Sequence, residues 1–329
     1  MMKIQLTIIG LGQIGASAGM ALEKYKDTIF RVGHDKSREA VNLAKENAVV
    51  DKIALTLSGA VKDADIVLLA LPFQEIEEVI EHISQDLKED ALVIDTSPLK
   101  LPVLEWAGKF LPETSHYVGY APVINAEYLD ECTFGPEAAH KDLFRDNLIG
   151  VITGNKASNK AINMATNLAQ LLGALPYFCD AAEMDGLMSM THLAPQVLAA
   201  AMLKISLDAP GWREAQKVAG KPFYQLTNSF GQDELPDALA SAMVNNPQNI
   251  SRLINDLIRS LVEIRDSVDA ASQDELESNF TKLQQGRDLW IADREDGSWI
   301  DRPKVETRPQ GVLSQLLGFR GPKQKSEDE

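Results

Sequence analysis

The sequence predicts an α/β fold: a doubly wound parallel sheet in the first half of the chain, followed by a half built only of helices. Three observations carry this. Up to residue 179, short apolar runs alternate with segments of three- and four-residue apolar periodicity. That is the pattern of strand–helix–strand units with helices on both faces of a parallel sheet. Beyond Asp180 the strand-like runs stop and only helical periodicity remains. Finally, 329 residues exceed one ordinary domain and suit two.

The strand-like runs are 3–9, 29–33, 66–71, 92–95, 117–119, 148–153 and 175–179, with helical segments such as 37–47, 75–84 and 157–172 between them. Gly173 ends the last of these helices. In the second half, 183–207 is a long stretch of Met, Leu and Ala, and a turn is expected at Pro210-Gly211. Helices are expected over 236–244, 248–270 and 274–290, with Pro236 and Pro247 near helix starts. Several of these helices carry apolar residues on more than one side, which implies burial at a partner subunit as well as internally. The expected division is 1–180 for the sheet domain, 181–301 for a helical dimerisation and substrate domain, and 302–329 for a Pro/Gly-rich basic tail.

Composition narrows the function. With 45% hydrophobic and 24% charged residues the chain has ordinary globular values, which exclude a disordered or repeat-built protein. Its net charge is −16, and the tail is slightly basic, so the body is more acidic still. Such a balance argues against nucleic-acid binding, which needs a basic face to meet phosphates. The two cysteines, Cys132 and Cys179, make no disulfide framework, and no Cys/His cluster is spaced to hold a metal. Glycines interrupt the apolar start, so it reads as strand, loop and helix rather than a signal peptide. No stretch approaches the ~18 apolar residues that a membrane span needs. The expectation is a soluble cytoplasmic protein acting on a small molecule, with no nucleic-acid or membrane partner.

Gly10-Leu11-Gly12-Gln13-Ile14-Gly15 fits G-x-G-x-x-G, and its setting matches: an apolar strand before, a helix-prone segment after, and Asp35 twenty residues beyond Gly15. This is the fingerprint of a Rossmann-type dinucleotide site. Gly10 permits the tight turn, Gly12 admits the pyrophosphate, and Gly15 lets helix and strand pack closely. Free amides at the helix start, including those of Gln13 and Ile14, face the negative charge. Asp35 can accept from the adenosine ribose and would repel a 2′-phosphate, which favours NAD. Arg38, three residues on, could neutralise such a phosphate and keeps NADP open, while Ser37 reads as an N-cap. Leu71 and Pro72, closing the run at 66–71, complete the expected cofactor-binding set.

Several segments together resemble the prephenate and arogenate dehydrogenases of tyrosine biosynthesis. Asp95-Thr96-Ser97-Pro98-Leu99-Lys100 is similar to the family's D-x-x-S-x-K stretch, and Val118-Gly119-Tyr120-Ala121-Pro122-Val123 to V-G-x-H-P-M. Ala139-His140-Lys141-Asp142-Leu143-Phe144 resembles the segment that follows. Glu183-Met184-Asp185 and Thr191-His192-Leu193-Ala194-Pro195 resemble E-H-D and S/T-H-L-P-H. The resemblance implies a Rossmann domain with a helical dimerisation domain, bound NAD(P), and oxidative decarboxylation of a cyclohexadienyl substrate. It also implies that Ser97, Lys100 and His192 are the catalytic-site residues that remain. Departures from the motifs are equally specific. The family's proton-accepting His is Ala121 here, the Ser is Pro98, the second His is Pro195, and the His of E-H-D is Met184. The T-R-I stretch has only Leu226-Thr227-Asn228-Ser229-Phe230 as a counterpart.

No neighbour replaces the missing base. His116 lies five residues before Ala121, roughly 16 Å away along an extended strand. The Tyr120 side chain points to the opposite face, and an ordinary phenol has a pKa near ~10. His34, His82 and His140 have no partner pattern and are expected to carry no chemistry. Lys100 and Ser97 have surface and N-cap alternatives respectively, and His192 a core alternative. Weak turnover or a changed substrate is therefore expected. Two other functions stay open: a dinucleotide-binding dimer that senses or assembles without catalysis, and a β-hydroxyacid dehydrogenase, echoed by Asp95-Thr96-Ser97 and Pro102 but lacking that family's Lys in 180–185.

Overall fold

A computed structural model describes residues 3–131, 133–154, 157–231 and 235–297. The chain forms two compact units that divide between Met184 and Asp185. Cys132 and the tail lie outside the described residues.

The first unit is built on one eight-stranded sheet. Its elements begin β1 (Ile4–Ile9), α1 (Gln13–Ala21), β2 (Ile29–His34), α2 (Arg38–Glu46), β3 (Lys52–Ile53), α3 (Leu57–Val61) and β4 (Ile66–Leu69). They continue through α4 (Ile76–Ile83), β5 (Leu92–Asp95), α5 (Leu101–Phe110), β6 (His116–Pro122), β7 (Leu148–Thr153), α6 (Asn159–Leu171) and β8 (Leu175–Phe178). The strand order is β3-β2-β1-β4-β5-β6-β7-β8. Strands β1, β4 and β5 read as almost unbroken Ile, Val and Leu because both of their faces are covered.

This is the expected doubly wound sheet with one departure: β7 runs antiparallel to β6. A parallel return needs a crossover, usually a helix, and 123–147 supplies only two short 3₁₀ turns. A helix start followed the expected capping chemistry at Ser37, whose hydroxyl accepts from the Ala40 amide at 3.3 Å. Ser158 caps α6 in the same way, and Gly173, with φ +93°, ends it. The two-residue β3 was not anticipated. Arg31 on β2 explains it: this buried guanidinium forks onto Asp51 (2.8 and 3.2 Å) and reaches the Gly19 and Ala48 carbonyls.

The second unit is entirely helical. Helix α7 (Ala181–Met188) passes through a π-helical turn, Ser189–Leu193, into α8 (Ala194–Leu207). Pro195 has no N–H to offer the Thr191 carbonyl, which gives a physical reason for the wider turn. Then come α9 (Trp212–Ala215), α10 (Lys221–Asn228), α11 (Pro236–Val244), α12 (Pro247–Asp269) and α13 (Gln273–Asp296). Pro236 and Pro247 open their helices, as expected. Two short helices, α9 and α10, occupy the region where only a turn was expected.

The membrane expectation needs correction. By length and composition, Ala181–Leu207 is long and apolar enough to cross a membrane. Three of its polar residues are nevertheless buried together. Asp185, Ser189 and Gln196 are all buried, on spacing that gathers them toward one side of the helical run.

Candidate active site

The glycine turn lies between β1 and α1, at the point where the strand order reverses, which is where open α/β sheets bind ligands. Gly10 has φ +91°, and a Cβ there would stand 2.1 Å from the Ala70 carbonyl oxygen. A Cβ on Gly15 would stand 1.9 Å from the Gly10 oxygen. Gly12 differs: it is the N-cap of α1 and has nothing within 4 Å of its Cβ position. Open space over Gly12 and backbone amides at Gln13 and Ile14 form a cradle that a side chain would fill and a pyrophosphate fits. Ile14 also packs against the core.

Asp35, one residue past β2, accepts from the Leu11 amide and the Ser37 amide, both at 2.7 Å. It therefore ties the glycine turn to the end of β2, and each of its oxygens keeps a further lone pair for a ribose hydroxyl. Arg38 is the first residue of α2 and is exposed. Leu71 and Pro72 follow β4, with Leu71 Cδ2 3.1 Å from the Gly10 Cβ position.

A second cluster sits at the C-terminal end of β5. Asp95 and Lys100 are both 0% exposed and pair at 2.8 Å. The Asp95 Oδ2 atom also accepts from the Ser97 amide at 2.9 Å and from the Ser97 hydroxyl, while Oδ1 accepts from the Tyr117 hydroxyl. Ser97 thus caps no helix, and its hydroxyl proton is turned inward. Lys100 is buried rather than on the surface, with its stem over Gly119, where a Cβ would meet Lys100 Cδ at 2.7 Å. Tyr117, Gly119 and Ala121 alternate along one face of β6.

Ala121 pairs with Gly150 on β7. A Cβ on Gly150 would lie 2.6 Å from Met184 Cε and 3.1 Å from Ala121 Cβ. Ala121 and Met184, both apolar, thus lie side by side over Gly150. Tyr120 faces the other side and donates to the Ala165 carbonyl, and burial pushes its phenol well above the usual range. His116 lies at the far end of β6, 3.2 Å from the Ser158 hydroxyl.

In the second unit, His192 lies in the π turn, and its carbonyl accepts from Gln196 Nε2 at 3.1 Å. Asn246 donates to Ser189 Oγ at 2.7 Å, and Ser189 donates to the Asp185 carbonyl at 2.5 Å. Sequence reasoning missed Tyr117, Ser189, Gln196 and Asn246. A signal existed for two of them: 185, 189, 192 and 196 follow helical spacing through an otherwise apolar segment.

A glycine cradle at the switch point of a doubly wound sheet, with an acidic residue closing β2, defines a dinucleotide-dependent oxidoreductase. Residues 18–177 match the family model for the prephenate dehydrogenase nucleotide-binding domain. A cyclohexadienyl dehydrogenase of Zymomonas mobilis is 23% identical over 86% of this chain and 94% of its own length. A prephenate dehydrogenase of Bacillus subtilis is 24% identical over 87% of this chain and 76% of its own. Among solved structures, prephenate dehydrogenase from A. aeolicus, in complex with hydroxyphenyl propionate and NAD+, superposes with a TM-score of 0.75 at 19% identity. That likeness covers 87% of this chain and 98% of the other and shows the shared fold. The chain is thus similar to the prephenate and cyclohexadienyl dehydrogenases.

Proposed function

We propose that the protein oxidatively decarboxylates a cyclohexadienyl substrate of the prephenate or arogenate type, with NAD as cofactor. Gly12, the Gln13 and Ile14 amides and Asp35 would hold NAD, which would supply the hydride acceptor for the ring carbon that bears the hydroxyl as the ring carboxylate is lost as carbon dioxide. The observation that carries the reading is the cradle at Gly12 beside a fixed Asp35. The Asp35 carboxylate, held by two amides, favours a free ribose 2′-hydroxyl over a 2′-phosphate, so NAD should bind more tightly than NADP. Arg38 is exposed and is the group that would reverse this order.

Ser97 and Lys100 act as one unit with Asp95 and Tyr117, fixing the turn after β5 rather than supplying a loose cation. His192 is read as a site residue from the Thr191-His192-Leu193 stretch alone. With Ala121 and Met184 apolar, no imidazole stands at 121 to take the hydroxyl proton. Loss of such a base lowers rates by roughly 10²–10⁴-fold, so slow turnover is expected. Following nicotinamide reduction by absorbance, with prephenate and with arogenate, tests this. Turnover at tens per second would overturn the account of the site. Cofactor binding without any turnover would favour the alternative of a non-catalytic sensor, which the apolar pair at 121 and 184 also suits.

The helical unit is proposed to form a homodimer. Ile258, Leu261 and Val268 on α12 and Phe280, Leu283, Leu289 and Trp290 on α13 are all at least half exposed. Apolar side chains repeated along two long helices on this scale indicate a partner.

A further inference from the structure

We propose that Glu75 is a positioning residue that sets cofactor choice. It holds the Lys36 ammonium in an ion pair and so withholds that cation from a ribose 2′-phosphate beside Asp35. The inference rests on the proposed reading of the glycine turn as a dinucleotide site.

In the strand order, β2 and β4 lie on either side of β1, so the segments that follow them flank the glycine turn. Both reach it: Asp35 accepts from the Leu11 amide, and Leu71 Cδ2 stands 3.1 Å from the Gly10 Cβ position. Lys36, next after Asp35, meets Glu75, on the segment after β4, with Nζ 2.5 Å from Oε1. Each partner is placed by its own element. The Ser37 amide donates to Asp35 and the Ser37 hydroxyl caps α2, which fixes the backbone on both sides of Lys36. Glu75 closes a 3₁₀ turn, Phe73–Glu75, anchored by the fully buried Phe73. It stands at the N-cap position of α4, but its side chain caps no amide there. A carboxylate at a helix start is favoured by the helix dipole, and this one is left to engage Lys36.

NADP differs from NAD by a phosphate on the ribose that the acidic residue closing β2 recognises, and a basic side chain nearby accommodates it. Two cations follow Asp35: Lys36 and Arg38. Lys36, the nearer in sequence, is neutralised by Glu75, and Glu77 and Glu78 add negative charge in the first turn of α4. With side chains 77% and 23% exposed, the pair adds little to stability. Selectivity asks for less, because it is a difference between two affinities. Asp35 repels the phosphate, and Glu75 occupies the cation that would receive it.

The test is calorimetric titration of the full-length protein with NAD and with NADP, read as the ratio of the two affinities. Glu75→Gln should raise the NADP-to-NAD ratio about fivefold, the upper range for an exposed pair, with NAD affinity changed by less than about twofold. Glu75→Gln combined with Lys36→Met should lose that gain, because the released cation is gone. Lys36→Met alone should move the ratio by less than about twofold, since that cation is already engaged. Glu78→Gln removes the same charge from the same helix start without releasing Lys36, and should also stay within about twofold. An unmoved ratio in Glu75→Gln, a gain that survives Lys36→Met, or an equal gain in Glu78→Gln would each overturn the inference while the cofactor reading stands. An unmodified protein that binds neither dinucleotide would overturn the cofactor reading itself, and this inference with it.

Discussion

At Gly12 a Cβ would meet nothing within 4 Å, whereas at Gly15 it would stand 1.9 Å from a backbone oxygen that cannot give way. The same residue type therefore serves cofactor binding at one position and packing at the other. Gly12→Val should keep the melting temperature within a few degrees and abolish NAD binding in calorimetry. Gly15→Ala should lower the melting temperature as well. A Gly12→Val protein that still binds NAD would place the pyrophosphate elsewhere. Tyr128 and Asp142 make a second case legible only atom by atom. Tyr128 donates to Asp142 at 2.7 Å, and its ring stacks on His140 at 3.9 Å. That bond holds the Asp142 carboxyl below the usual carboxylate range, and the nearby Asp142 carboxylate in turn pushes the Tyr128 phenol up to about 12. A lowered carboxyl stabilises above its unfolded pKa, near ~3.9, and the contribution is lost as pH falls through the lowered value. A raised phenol stabilises below ~10 and the contribution is lost as pH rises toward the raised value. Ultraviolet titration should therefore find one tyrosine ionising near about 12, and Asp142→Asn should return it toward ~10.

Among elements, the end of β5 and the π turn show how buried polar groups are held. Asp95 gathers Ser97, Lys100 and Tyr117, so the four residues behave as one piece. Lys100→Met should cost about 3–5 kcal/mol in denaturant unfolding, because it strands a carboxylate with 0% exposure. Asp95→Asn combined with Lys100→Met should recover part of the loss, since neither charge is then stranded. Unfolding energies that simply add would mean the two are not coupled. At the π turn, Asn246 reaches across from the start of α12 to Ser189. Asn246→Ala should lower stability by about 1–3 kcal/mol, the cost of leaving a buried partner unpaired. An effect on turnover greater than on stability would show that the turn positions His192.

For the whole molecule, the helical unit leaves too much apolar surface uncovered. Ile250 is the only residue of the 23-residue α12 that is fully buried among those described. Light scattering at micromolar concentration should report a dimer, and Leu261→Lys with Leu283→Lys should shift it toward monomer. A monomeric unmodified protein would contradict the assignment of this surface. Residues 302–329 lie outside the described residues, so the slightly basic tail is a feature of sequence alone.

Much of this protein was legible in the sequence because its signals are local. Strand and helix periodicity, the glycine fingerprint with Asp35, the cap at Ser37, and the prolines that open α11 and α12 each depend on neighbours within a few residues. The segments that resemble the family's motifs were legible too. What the sequence left open was long-range pairing. No local pattern says that β7 turns antiparallel to β6, or that Met184 lies against Gly150 beside Ala121. Lys100 could be read as a site cation or a surface residue, and Ser97 as a site residue or a helix cap, until the fold brought Tyr117, twenty-two residues along, onto Asp95. A side chain's chemistry is set by what surrounds it after folding, and only the tertiary structure decides whether a lysine meets water, a substrate or a buried carboxylate.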